Sequence, residues 1–323
     1  MRMTSNENDT NKEKKTRLRS ASQWAVAWRR FKRNRAGVVG LIIVLIVLFV
    51  GVFGSFFAPF PPRPDPKAYQ PFYEGKVRQP PSSEYLFGTT SIGTDVFSEI
   101  IHGTKYTIYV GVLVTAITMS IAIIVGALAG YFGGRIDNIL MRISEVFLVF
   151  PSLMLILVFV RIFTVSAGEP FWTIPLINLQ IPAGLTIVIV VLSLFNWASN
   201  ARMIRGEFMR IRELEFIEAE KALGASNRRI IFRHILTNLL SSIIVVSTLT
   251  IAYAILLEAG VSFLGFGDVN TLTWGQILQE NFSEMRIVWW AEVFPGLAIL
   301  FTVFGFNLLG DGLSDAFNPR LRE

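Results

Sequence analysis

The chain has 323 residues, 52% of them hydrophobic and only 17% charged, with a formal charge of +6 at pH 7. Soluble domains carry about a quarter charged residues, so this balance points to an integral membrane protein. Cysteine is absent and only His102 and His234 are present, which excludes disulfides, thiolate nucleophiles, cysteine-held metals and a histidine-rich metal site.

From the N-terminus, residues 1–20 are polar and charged and are expected to be disordered. The next stretch, SQWAVAWRRFKRN, places Trp24, Trp28 and Phe31 at i, i+4 and i+7 among basic residues. Two readings fit it: a helix lying at the headgroup level, or a plain aromatic and basic flank of the first span. Uncharged runs then occur at 36–62, 106–134, 146–160, 170–201, 234–257 and 293–310. A spanning helix needs roughly 20 mostly apolar residues. Four runs meet that length, the run at 146–160 does so if it starts near Ile143, and the last if it starts near Val288. The reading is an all-α integral membrane protein with six transmembrane helices. The first span is not a cleaved signal peptide, because its apolar core is too long and no A-x-A-like site ends it.

The chain thus divides into a tail with an interfacial helix over 1–36, a first span over 37–58 and an extracytoplasmic segment over 59–104. That segment holds eight of the fourteen prolines, in PFPPRPDP and RQPPSS, which excludes long helices and implies an extended strap. A five-helix core over 105–312 includes a cytoplasmic loop at 203–234, and a tail covers 313–323. The outer segment 263–288 contains TWGQILQENF, read as a short surface helix, and Trp289 and Trp290 stand where an aromatic belt is expected.

Six spans place both termini on one side. With the N-terminus inside, 23 of the 30 Lys and Arg residues fall in cytoplasmic segments, so the positive-inside preference makes both termini cytoplasmic. The positive charge is topological, and no nucleic-acid partner is needed to explain it.

Between spans four and five lies a charged insert, RELEFIEAEKALGASNRRIIFRHILTN, residues 212–238. Ile211, Leu214, Ile217 and Ala222 fall near helical spacing among strong helix formers. Gly224 can end that helix in a left-handed turn because it lacks a Cβ. Ser226 or Asn227 can cap a second helix that runs into span five. The product is an elbow: a short helix, a sharp bend, and a second helix welded to a membrane helix. An ordinary basic loop is the other reading of these residues. A DNA-reading helix–turn–helix would require a soluble core that the chain lacks.

FIEAEKALGASNRRIIFRHILTN resembles the EAA signature of permease subunits of binding-protein-dependent ABC importers. That signature runs Glu-Ala-Ala, then Gly after a short gap, then an Ile-x-Leu-Pro-like ending. Glu218, Ala219 and Gly224 match, and Ile235 and Leu236 fall in the ending; Glu220 replaces the second alanine and Thr237 the proline. The first departure bears on packing and charge pairing with an ATPase groove, and the second implies an unkinked entry to span five. The resemblance covers nearly the whole chain and points to the C-type permease of the dipeptide/oligopeptide/nickel branch. It extends through WAVAWRRFKRNRAGVVGLIIV, FGTTSIGTDVFSEIIHG, GYFGGRIDNILMRISEVFLVFP, LLEAGVSFLGFG, TWGQIL, WWAEVFPGLAI and FNLLGDGLSDAFNPR. Thr90 and Thr94 stand where the branch has Asp and Arg.

The resemblance implies a type I ABC importer permease fold in the cytoplasmic (inner) membrane of a prokaryote. It implies pairing with a homologous permease as a heterodimer, two cytoplasmic ATP-binding subunits, and an extracytoplasmic substrate-binding protein. The cargo would be di- or oligopeptides, with oligosaccharides or nickel chelates as alternatives. ATP and Mg would be used by the partner ATPases, with no cofactor bound by this chain; the sequence has no G-x-x-x-x-G-K-[ST] phosphate loop. Coupling to those ATPases would fall to Leu214, Ile217, Glu218, Ala219, Glu220, Lys221, Leu223, Gly224 and Ala225.

Acidic groups at membrane depth are costly and often mark a pathway or a partner. Glu258, near the outer end of span five, and Glu145, near the inner end of span three, are therefore pathway candidates, with structural pairing as the alternative; Asn196, at the inner end of span four, is a further candidate for lining the channel. A carboxylate at 258 would suit a peptide's terminal amine. Gly126, Gly130 and Gly134 recur every four residues and read as a close-packing stripe. Asn307 and Asp311 read as polar contacts at the inner end of span six, and Pro151 and Pro295 as kinks or starts of their spans. An intramembrane hydrolase is disfavoured because no G-x-S-x-G or H-E-x-x-H motif is present. A stand-alone transporter with inverted repeats is disfavoured because five core spans do not divide into equal halves.

Overall fold

The computed structural model describes residues 23–61, 76–164, 172–174 and 179–317. The tail expected to be disordered, the Trp24 side chain, the strap residues 62–75 with Arg63 and Lys67, and Arg320 and Arg322 lie outside the described residues.

Helix α1 (Gln23–Phe31) leads into α2 (Arg35–Phe53) through Asn34, whose side-chain oxygen accepts from Gly37 N at 2.9 Å and caps the helix. Asn34 also donates to Asp315 of the last helix, α10 (Trp290–Phe317), at 2.9 Å. Ala27 and Phe31 are buried against Ala316 of α10, while Trp28 is exposed with the Lys32 ammonium 5.2 Å from its ring centre. The aromatic and basic pattern therefore splits: one face is packed on protein and the other carries Trp28.

Helix α3 (Val96–Phe132) spans 37 residues and starts ten residues before the uncharged run that predicts it. Its start is fixed by Asp95, whose carboxylate accepts from Ser98 N at 2.8 Å and Ser98 Oγ at 2.7 Å. α3 packs along α6 (Ala183–Arg212) in parallel. Ser193 Oγ lies 3.4 Å from Val114 O, Gly126 abuts Ala201 and Ile204, and Gly130 abuts Arg205 and Phe208. Those contacts advance in the same direction along both helices, so the intervening chain must cross back.

It does so by α4 (Gly134–Val149) and α5 (Ser152–Thr164), bent 85° to each other. The predicted third span is thus a bent helix pair. α5 alone, at 13 residues, would rise only about 20 Å against a hydrocarbon core of about 30 Å. The break falls at Phe150, held extended at φ −82° and ψ 143° before Pro151, as the proline ring requires of its predecessor. The predicted fourth span also begins late. Its first residues form an antiparallel hairpin, β1 (Trp172–Ile174) with β2 (Leu179–Ile181), Trp172 opposite Ile181, and α6 starts only after Pro182. Apart from these two three-residue strands, the regular elements among the described residues are helices, as expected.

Past α6 come α7 (Glu215–Ala222), α8 (Asn227–Phe263), α9 (Trp274–Asn281) and α10, in which Pro295 lies inside the helix. Among the described residues five helices are long and apolar enough to cross a membrane, six spans if the bent pair is counted as one. α9 is the predicted short helix, capped by Thr273 Oγ1 accepting from Gln276 N at 3.3 Å, but it is packed in and not on the surface, with Trp274, Gly275, Gln276, Ile277 and Asn281 buried. Of the glycine stripe, Gly126 and Gly130 form the close contact with α6. Gly134, at φ +54° with nothing within 4 Å of a Cβ, belongs instead to the turn into α4.

The strap from Lys76 onward is tied to the opposite end of the bundle from α7. Trp290 Nε1 donates to Thr89 O at 2.9 Å, and Arg78 donates to both Glu284 oxygens at 2.6 and 2.7 Å. Those hydrogen bonds hold the Glu284 carboxyl below its usual range, and the Lys76 bond does the same for Glu84. Where the resembled branch has Asp and Arg, Thr90 Oγ1 and Thr94 Oγ1 lie 2.6 Å apart, both buried. The pairing here is a neutral hydrogen bond.

Candidate functional site

The elbow predicted from the insert is formed. α6 ends at Arg212, Glu213 and Leu214 turn the chain, and α7 covers eight residues. Glu215 and Glu218 in its first turn and Lys221 in its last complement the helix dipole. At its end Ala225 N donates to Glu220 O at 3.0 Å and Gly224 N to Lys221 O at 2.9 Å, a Schellman closure. The closure needs a left-handed residue at 224, and Gly224 supplies it with φ +82°. Ser226 then caps α8, its Oγ 3.4 Å from Arg229 N.

α8 runs without interruption from this cap to Phe263, with one π turn at Ile230–Ile235. In that turn Leu236 N donates to Ile231 O, and Thr237 Oγ1 lies 3.3 Å from Phe232 O, both five residues back. The expected unkinked entry is continuous, yet locally overwide. Asn238 Nδ2 adds a 2.7 Å bond to His234 O.

The predicted coupling residues divide by exposure. Ile217 is fully buried, in a cluster with Phe208 and Ile211 of α6, Tyr131 of α3, and Ile230, Ile231 and Ile235 of α8. It faces inward and plugs α7 to the membrane helices, so it presents nothing to a partner. Glu218, Ala219, Lys221, Leu223 and Gly224 face solvent, with Leu223 84% exposed and Leu214 40% exposed. Ala225 is half-buried against the cluster. Glu220 Oε2 lies 3.6 Å from His234 Nε2, so the residue standing at the motif's second alanine reaches back to α8. α7 thus has an inward anchor and an outward face of Leu, Ala, Lys and Glu, and it is joined to α8 through the bend at Gly224.

Sequence reasoning misses what holds the elbow's two roots. Arg212 Nη1 donates to Tyr131 O at 2.9 Å, and Tyr131 Oη donates to Asn227 Oδ1 at 2.8 Å. Arg205 of α6 is paired with both carboxylate oxygens of Asp137 of α4. These partners are 68 to 96 residues apart, and no spacing signal links them; an arginine and an aspartate in otherwise apolar flanks are the only hint.

The pathway candidates are not brought together. Glu258 is 1% exposed, enclosed beside Ser262, whose Oγ donates to Glu258 Oε1 at 2.7 Å, and Thr273. Asn196 is half-buried and spends its amide on Leu192 O at 2.7 Å. Glu145 lies within α4, partly exposed, 3.3 Å from Arg142 Nη1. Asn307 and Asp311 are exposed on α10. Among the described residues no group of three or more His, Asp or Glu could hold a metal ion.

Residues 122–323 match the family described as binding-protein-dependent transport system inner membrane component, and residues 22–81 match the N-terminal TM domain of oligopeptide transport permease C. The chain is 37% identical, over 246 residues, to the dipeptide transport system permease protein DppC of Bacillus subtilis, covering 76% of this chain and 71% of that one. It is 34% identical to the oligopeptide transport system permease protein OppC of the same organism over 76% and 75% of the two chains. It is 36% identical to the glutathione transport system permease protein GsiD of Pectobacterium atrosepticum over 77% of each.

Proposed function

Because the chain belongs to the family of binding-protein-dependent transport system inner membrane components, we propose that it is the permease subunit of an ATP-driven importer of di- and oligopeptides. It is a transport subunit and not an enzyme, as are the relatives it matches. Its place is the inner membrane of a prokaryote, with both termini and the elbow on the cytoplasmic side, where most basic residues gather. It pairs with a homologous permease and two ATP-binding subunits, which use ATP and Mg, and receives cargo from an extracytoplasmic binding protein. The peptide cargo is supported by relatives named for dipeptide, oligopeptide and glutathione transport.

The observation that carries this reading is the construction of α7. It exposes Leu223, Ala219 and Lys221 outward, buries Ile217 inward, and continues through a fixed bend into a helix that crosses the membrane. A partner that seats on α7 and moves must displace α8, because Gly224 and Ser226 fix the angle between them. Glu218 and Glu220 lie on the same turn as Lys221 and offer charge pairing to a basic groove. Asn196 and Glu145, which keep accessible polar surface, are the better pathway candidates; Glu258 enters a pathway only if the packing of α9 on α8 opens.

The test is reconstitution of the complex in vesicles with labelled di- and oligopeptides. ATP-dependent uptake that requires this chain is expected. Uptake of an oligosaccharide or a nickel chelate in place of peptides would overturn the cargo, and ATP-independent uptake by this chain alone would overturn the mechanism.

A further inference from the structure

The elbow has two roots, one where the chain leaves α6 at Arg212 and one where it enters α8 at Asn227. Both are bonded to a single residue on a third helix. Tyr131, in the last turn of α3, accepts Arg212 through its backbone carbonyl (2.9 Å) and donates its phenol hydroxyl to Asn227 Oδ1 (2.8 Å). Its ring is 6% exposed and packs in the cluster that holds Ile217. Tyr131 is buried and Asn227 exposed, so the bond is part-buried, and the packed ring aims the hydroxyl at Asn227.

The turn just past Tyr131 matters as much. α3 stops within two residues, at Gly133 with φ +66°, and Gly134 at φ +54° opens α4. Beyond that turn, α4 is fastened to α6 by the pairing of Asp137 with Arg205. The end of α3 is thus clamped to the elbow on one side and separated from α4 on the other by two glycines in a conformation other residues resist. The close contacts of Gly126 with Ala201 and Ile204, and of Gly130 with Arg205 and Phe208, leave α3 little room to slide along α6. Force at the elbow can therefore swing the end of α3 about the glycine pair.

We propose that Tyr131 is a positioning residue that carries displacement of the elbow into α3, so that α3 and α8 move together when a partner pushes on α7. This rests on the coupling role proposed for α7. The ring alone does not suffice; the hydroxyl bridge to Asn227 transmits the motion, and the carbonyl bond from Arg212 keeps the two roots at fixed separation.

The experiment uses the full transporter, this chain with its partner subunits, in sealed vesicles, reading peptide uptake and ATP hydrolysis together. Tyr131→Phe keeps the ring and removes the hydroxyl; Asn227→Ala removes the acceptor; Asn227→Asp keeps one. Tyr131→Phe and Asn227→Ala are each expected to lower uptake per ATP hydrolysed about fivefold, consistent with loss of one hydrogen bond. Hydrolysis itself should stay within about twofold. The double variant should be no worse than either single one, since both remove the same bond, and Asn227→Asp should hold the ratio near that of the unaltered complex. The proposal is overturned if Tyr131→Phe leaves the ratio unchanged, if uptake and hydrolysis fall in parallel, or if the two single losses multiply in the double variant. An unaltered complex that shows no ATP-driven uptake would instead remove the coupling reading itself, and the proposal with it.

Discussion

Gly224 is where the elbow can be tested by backbone conformation alone. Its φ of +82° is left-handed, and a Cβ built there meets nothing within 4 Å. A substitution therefore meets no neighbour, and its cost is that of the conformation itself. For an L-residue that cost is about 1–2 kcal/mol, rising toward about 3 kcal/mol for a β-branched side chain, with asparagine the cheapest replacement. About 2 kcal/mol displaces the equilibrium between bent and opened elbow by about thirtyfold. Opening breaks the Ala225 N to Glu220 O and Gly224 N to Lys221 O bonds and uncouples α7 from α8. Uptake per ATP hydrolysed in reconstituted vesicles should therefore fall in the order Gly, Asn, Ala, Val, with Val losing at least about tenfold. Gly224 is exposed, so a partner could also reject bulk there. Asn and Val separate the two causes, since they differ modestly in size and strongly in left-handed cost. Val matching Gly, or Asn as damaging as Val, would refute the argument from conformation.

Ile217→Ala should destabilise the seating of α7 by about 2–5 kcal/mol, because it empties a fully buried position between α6 and α8. Hydrogen exchange across residues 215–222 should rise by orders of magnitude, and unchanged protection would show that α7 is held by something else. Gly130→Val places a side chain where even a Cβ comes 2.6 Å from Arg205 O and from the Phe208 side chain. α3 and α6 must separate, and thermal unfolding of the purified chain should show a loss of about 1–3 kcal/mol or more, whereas an unshifted transition would contradict the close contact. The strap is pH-sensitive through Glu84 and Glu284, whose carboxyls are held low by Lys76 and Arg78. A depressed carboxyl stabilises above its ordinary value and loses that contribution as pH falls through the folded one. Spin-label distances between positions 77 and 285 should thus hold from about pH 7 down to the ordinary glutamate value of about 4.3 and lengthen only below it. Lengthening between about pH 7 and 5 would contradict the pairing.

How much of this is legible in the residues depends on range. The elbow is legible because its determinants are local: Gly224, the Ser226 cap and the apolar spacing that ends in Ile217 lie within ten residues of one another. The resemblance does not tell which apolar residue faces inward, so it groups Ile217 with Leu223 although one is buried and the other 84% exposed. Five spans are visible as apolar runs, and Pro151 marks a kink or a start in the run that covers α4 and α5, but not the 85° bend found there. Hydropathy does not register that Pro151 forces Phe150 into an extended conformation. The hairpin at 172–181 merges into an apolar run for the same reason, since β-forming and helix-forming residues are equally apolar there. The Tyr131 clamp is invisible in the sequence because it joins the ends of α3, α6 and α8, which only the packed structure brings together.

The central claim is that α7 is the seat of a nucleotide-driven partner. Because the chain has no cysteine, Leu223→Cys places its only thiol at a strongly exposed position of the elbow, 84% exposed in the unaltered chain. A short thiol-reactive cross-linker added to membranes holding the full complex should join this residue to an ATP-binding subunit, with a yield that changes between nucleotide-free and ATP-bound conditions. A cross-link that never includes an ATP-binding subunit, under either condition, would contradict the account.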